Sequence, residues 1–155
     1  MTVRLSIGND HGGYNLAMYL LKELKSSCGT IFYHGAFSKN NPVDYPDYAR
    51  CVGNDVISSR SEIGILICRT GAGMCLAANK INGIRAVNCW NVEIAQLARS
   101  HNNANVLCLG ADFVDAKNAS DIVDVFLQTK FDPRHSKRLE KVMVLESMKC
   151  VPGKM

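Results

Sequence analysis

The stretch ILICRTGAGM, residues 65–74, carries a run of apolar strand formers up to a cysteine and then turns through a loop with glycines at 71 and 73. A buried strand that ends on a thiol and opens into a loop poor in side chains lets a ligand approach the backbone. Similar short runs occur at VRLSI (3–7), TIFY (30–33), IRAV (84–87) and NVLCL (105–109), with IGILI (63–67) leading into the quoted stretch. Between them apolar residues fall at helical spacing: Leu16, Tyr19, Leu20 and Leu24, then Tyr48, Val52 and Val56, then Ile94, Leu97 and Ala98, then Ile122, Val125 and Phe126. Strand followed by helix, repeated along the chain, predicts an α/β sandwich with a five-stranded parallel sheet, because a helical crossover returns the next strand in the same direction. The expected strand order is 2-1-3-4-5. Asp132 and Pro133 break the chain ahead of a C-terminal helix over about 134–148, and the tail from Cys150 reads as a frayed end.

A chain of 155 residues that is 47% hydrophobic and 21% charged fits one domain over 1–155 with a real core. The net charge of +4 suits a small anionic ligand, and basic residues gather only at RHSKR (134–138), so no nucleic-acid partner is expected. Seven cysteines, an odd set with no CxxC pair and no secretory leader ahead of them, predict free thiols in a reducing cytoplasm and no zinc ribbon. No apolar run approaches the roughly 20 residues of a bilayer crossing, so no membrane partner is expected.

In open parallel sheets ligands gather at the carboxyl ends of the strands, where the order reverses. That crevice lies between the first and third strands, next to GNDHGG (8–13) and CRTGAG (68–73). Gly71 and Gly73 expose amide hydrogens at the start of a helix over about 73–80, which welcomes an oxyanion. The loop lacks the Lys-Ser/Thr of a P-loop and the third glycine of a dinucleotide fingerprint. Cys68 reads either as a thiolate favoured by this setting, able to move a proton, or as a small hydrophobe finishing a strand. Thr70 either orients that thiol or bonds the turn. Asp10 either accepts sugar hydroxyls or caps the next helix, and His11 can donate to an anion or shuttle a proton. His101, with Asn102 at a helix end, is a proton-transfer candidate or a favourable charge on the helix dipole. Arg134 and Arg138, four apart, suit a phosphate or a solvated face, and Tyr45 covers the site or packs.

Together DHGG (10–13), DYPDYA (44–49), GILICRTGAGM (64–74), AANKINGIRA (77–86), HNNANVLCLG (101–110) and RHSKR (134–138) resemble the type B ribose-5-phosphate isomerase family, which includes galactose-6-phosphate isomerase subunits. The resemblance spans nearly the whole chain. It implies a Rossmann-like, metal-free and cofactor-free aldose–ketose isomerase, a homodimer or homotetramer with sites at the subunit interface. Its substrate is expected to be ribose 5-phosphate, interconverted with ribulose 5-phosphate through an enediolate. The alternatives are a hexose 6-phosphate, a tetrose phosphate, or a non-catalytic sugar-phosphate-binding subunit. Carried over by motif, Cys68 is the base, Thr70 supports it, Gly71 and Gly73 cradle the oxyanion, and His101 from a neighbouring subunit opens the ring. Asp10 and Asn102 hold hydroxyls; His11, Arg134 and Arg138 hold phosphate.

Two positions depart from that pattern. Arg69 stands where the family usually has glycine, and Asp112 stands where it commonly has a phosphate-binding arginine. Asp112 is expected to repel phosphate, with Arg69 compensating in part or the substrate differing from ribose 5-phosphate. Ala17, where a lysine is common, and His34 are smaller departures.

Overall fold

The computed structural model describes residues 3–25 and 28–147. Its elements run β1 (Leu5–Asn9), α1 (Tyr14–Leu24), β2 (Ile31–Gly35), α2 (Tyr45–Ile57), β3 (Ile63–Cys68), α3 (Ala72–Ala78), β4 (Ala86–Asn88), α4 (Val92–Asn102), β5 (Val106–Gly110), α5 (Ala116–Gln128), a 3₁₀ turn (Pro133–His135) and α6 (Ser136–Val144). All five strands pair in parallel, as the strand–helix alternation predicts.

The order is β2-β1-β3-β5-β4, so the expected 2-1-3-4-5 is corrected at its last two strands. The reason lies in composition. β5 (VLCLG) is apolar on both faces and buried throughout, which suits an interior strand, whereas β4 has three residues and ends on a half-buried asparagine.

Successive residues of β3 face opposite layers. Ile63, Ile65 and Ile67 pack in one core with Leu16 and Leu20 of α1 and Ile122 and Phe126 of α5. Leu66 and Cys68 pack in the other with Ala49 and Val52 of α2 and Met74 and Ala78 of α3. The cysteine side chain therefore belongs to the α2–α3 layer.

The C-terminal helix differs from its expected bounds of 134–148. Asp132 accepts a hydrogen bond from the Arg134 backbone at 3.0 Å, and with Pro133 it sets a 3₁₀ turn before α6 begins at Ser136. No residue of α6 is buried, and Val142, Val144 and Leu145 are exposed. The tail expected to fray lies outside the described residues. Among the described residues no helix is long and apolar enough to cross a membrane.

Beneath α2 a buried polar group ties three elements together. Asp55 accepts from Ser6 Oγ at 2.9 Å, contacts His34 Nε2 at 2.6 Å and meets Arg60 Nη1 at 3.3 Å. Burial alone would push the Asp55 carboxyl up. The bonds from His34 and Ser6, with the charges of His34 and Arg60, outweigh it and hold the group below its ordinary value. A carboxyl lowered on folding contributes stability above its unfolded value and loses it as pH falls through the folded one. Asp55→Asn should therefore destabilise by about 2 kcal/mol at neutral pH, and the gap from wild type should narrow on acidification below the carboxylate range. Urea melts against pH check this; a pH-independent gap would place the cost in packing.

Candidate active site

The carboxyl ends of β1, β3 and β5 converge on one set of loops. After β1, the Asp10 backbone N–H donates to Ile67 O at 3.2 Å, and Asp10 Oδ1 accepts from Gly13 N at 2.9 Å. One carboxylate oxygen thus holds the turn into α1 while the residue stays 7% exposed at the crevice. His11 Nδ1 accepts from Val43 N at 3.2 Å, which leaves Nε2 as the nitrogen able to donate.

Cys68 ends β3 and is 5% exposed. Its sulfur accepts the Gly71 amide hydrogen at an N–S distance of 3.1 Å. Gly71 has φ +75°, and a Cβ there would collide with Asn88 Oδ1, so only glycine fits the turn that aims this amide at the sulfur. Thr70 Oγ1 accepts from Ala72 N at 3.3 Å and Thr70 O accepts from Asn88 Nδ2 at 3.1 Å. Thr70 therefore secures the turn, and among the described residues its hydroxyl has no bond to the sulfur. Cys75 N returns to Gly71 O, so the amide hydrogens of Gly73 and Met74, in the first turn of α3, have no protein acceptor among the described residues. Those two amides, with Gly71 already committed to sulfur, are the free donors beside Cys68. The Tyr45 ring lies where a Cβ on Gly73 would meet it at 3.0 Å, so Tyr45 covers this loop from the start of α2.

Arg69, expected to compensate in part for Asp112, is bonded to it directly: Arg69 Nε donates to Asp112 Oδ2 at 2.8 Å. The other thiols differ in acidity. Hydrogen bonding with Cys108 brings Cys75 down to about 7 despite partial burial, whereas burial pushes Cys89 up to about 12.

The remaining candidates sit elsewhere. α4 runs back from the strand mouths, so His101 and Asn102 at its end lie toward the amino-terminal ends of the strands, away from Cys68 at the carboxyl end of β3. There the His101 and His135 rings stack with centroids 4.2 Å apart. Arg134 Nε reaches His135 Nε2 at 3.0 Å and Arg138 Nη1 reaches His135 Nδ1 at 2.9 Å. A neutral imidazole has one acceptor nitrogen, so one of these contacts sets a cation against an N–H. Desolvation, then His101, Arg134 and Arg138, push His135 down, against Asp132. Asp132 pairs with Arg134 at 2.9 Å, but among the described residues no carboxylate pairs with Arg138. The cluster is short of negative charge and suits an anion. His135 is the functional candidate that sequence reasoning missed. Its signal was its place inside RHSKR, between the two arginines.

The candidate residues thus fall into two groups in one chain: Asp10, His11, Tyr45, Cys68, Arg69, Thr70, Gly71 and Gly73 at the strand mouths, and His101, Asn102, Arg134 and Arg138 at the other end. Near the first, Trp90 is 60% and Phe113 is 74% exposed, and they line a hollow with Thr70, Asn88 and Gly110. A separate hollow between β4 and α6, lined by Ile84, Asn102, Leu139 and Val142, contains none of the strand-mouth groups.

Comparison with known proteins agrees with this architecture. Ribose-5-phosphate isomerase B of Escherichia coli K12 is 38% identical over 144 residues, covering 92% of this chain and 96% of that protein. The structure of Clostridium thermocellum ribose-5-phosphate isomerase B superposes with a TM-score of 0.90 at 41% identity, over 93% of this chain and 97% of the other. That of ribose-5-phosphate isomerase B from Mycoplasma genitalium with bound ribulose-5-phosphate gives 0.89 at 38% identity, over 96% and 99%. The Ribose/Galactose Isomerase family model matches residues 5–142, and with the parallel sheet and the Cys68 loop in place the chain belongs to that family.

Proposed function

We propose that this chain interconverts ribose 5-phosphate and ribulose 5-phosphate, with the Cys68 thiolate as the base. The observation that carries the reading is the Cys68 sulfur, held by the Gly71 amide at 3.1 Å beside the unclaimed amides of Gly73 and Met74. In the aldose-to-ketose direction the thiolate takes the proton from C2, the electron pair moves into a C1–C2 enediolate, and the thiol returns the proton to C1. The hydrogen on O2 passes to O1, so the reaction balances without a redox partner. The free amides of α3 answer the negative charge that grows on the oxygen, a preorganised contribution of about 3 kcal/mol in comparable oxyanion sites. Asp10, with one oxygen spent on Gly13, offers the other to a sugar hydroxyl. His11 offers Nε2 to the phosphate.

The working unit is a homodimer, alone or paired into a tetramer. The two groups lie at opposite ends of the strands of one sheet, so each is read as half of a site, which a second copy completes by bringing His101, Asn102, Arg134 and Arg138 of the partner subunit to Cys68. Exposed Phe37, Leu76, Trp90 and Phe113 supply apolar surface for such contact. The partner's His101 is assigned to ring opening and the partner's Arg134 and Arg138 to the phosphate.

The test incubates the protein in heavy water with four-, five- and six-carbon aldose phosphates and follows deuterium entry at C2 by NMR. Ribose 5-phosphate should exchange fastest. Faster exchange on a hexose 6-phosphate or tetrose phosphate would reassign the substrate, and silence across the panel would reject the isomerase reading in favour of a binding subunit.

A further inference from the structure

Arg69 follows the cysteine directly and carries the one long side chain inside the CRTGAG turn. Its stem lies against Gly12, where any Cβ would collide with Arg69 Cγ. Its Nε is bound to Asp112 at 2.8 Å, and the Asp112 amide donates to Arg69 O at 2.9 Å. The side chain therefore spans from the loop after β1 to the loop after β5, across the mouth of β3. Among the described residues neither terminal nitrogen of the guanidinium has a protein partner, and the side chain, 70% exposed, is held at two points, its stem and its Nε. An exposed ion pair contributes little to stability, so stability does not account for this bracing. A guanidinium fixed through Nε with both terminal nitrogens open is a preorganised fork for an anion.

We propose that Arg69 contacts the phosphate of the substrate and that Asp112 is its positioning residue. The proposal rests on the isomerase reading above. The phosphate is the substrate's only full charge before reaction. An extended arginine also carries its guanidinium about as far from the cysteine-proximal backbone as a pentose places its phosphate from C2. Asp112 does not face the phosphate as a lone carboxylate; it holds Nε in a pair that is neutral overall and aims the two open nitrogens of the guanidinium.

Steady-state kinetics on ribose 5-phosphate, with inhibition by inorganic phosphate, test this in the wild type, Arg69→Gln, Arg69→Lys, Asp112→Asn and the double variant Arg69→Gln/Asp112→Asn. Arg69→Gln should raise KM about tenfold, with kcat within about twofold. The inhibition constant for inorganic phosphate should rise in parallel, a readout that a purely structural tie would leave unmoved. Lysine, lacking the fork, should restore binding only in part. Asp112→Asn should raise KM about threefold alone and add nothing in the Arg69→Gln background, because its effect passes through Arg69. An unchanged KM for Arg69→Gln, a loss confined to kcat, or additive effects in the double variant would overturn the proposal while leaving the isomerase reading intact. Absence of wild-type turnover would remove both.

Discussion

Cys68→Ala should lower kcat/KM for ribose 5-phosphate by about 10³-fold or more, the scale on which a positioned proton-transfer group acts. Deuterium entry at C2 should vanish with it. Little else should change. The side chain is small, and cutting it to alanine beneath Leu66 and Met74 costs about 1 kcal/mol of packing, so a thermal melt should shift by only a few degrees. Cys68→Ser separates base strength from geometry: the hydroxyl can still accept the Gly71 amide, but at neutral pH it is almost wholly protonated. Serine should therefore keep the melt of the wild type and lose activity nearly as fully as alanine. Substantial exchange in either variant would assign the base elsewhere and reduce Cys68 to a buried strand terminus.

The parallel α/β architecture was legible because strand and helix periods alternate cleanly, and because the loops at the strand mouths concentrate glycine, histidine and carboxylate. The order of the last two strands was not read, although the signal was present: VLCLG is apolar on both faces and IRAV is not. That slip hid the Arg69–Asp112 pair. With β5 beside β3, Cys68 stands in register with Gly110, and the residues just beyond each strand end become neighbours. In the expected order β4 would separate them, so Arg69 compensating in part for Asp112 is an expectation about net charge and not about a direct ion pair. His135 stayed hidden for a different reason, since its surroundings depend on His101 stacking across a tertiary contact that no local spacing encodes. Of the two readings of Asp10, the local one is seen in part: one carboxylate oxygen holds the turn into α1 by accepting the Gly13 amide hydrogen.

Two inactive variants, mixed as subunits, should restore activity to each other. Cys68 stands at the carboxyl end of β3, and His101 stands at the far end of the antiparallel α4, so within one chain the proposed base and the proposed ring-opening histidine lie at opposite ends of the strands. In the proposed two-fold dimer each site takes Cys68 from one subunit and His101 from the other. Cys68→Ala homodimers then have two sites without a base. His101→Ala homodimers have two sites slowed by about 10²-fold on the cyclic substrate. In a heterodimer of the two, one site carries both lesions and the other carries neither. Random exchange makes half the dimers heterodimers, so co-expression should return about a quarter of the wild-type activity, well above the sum of the parents. The same rescue should follow when Arg138→Ala replaces His101→Ala, because Arg138, on His135 beside His101, belongs to the same distant group. If each subunit completed its own site, every site in the mixture would carry a lesion. Heterodimers verified by native mass spectrometry but no more active than the parents would then overturn the shared-site arrangement, even with Cys68 retained as the base.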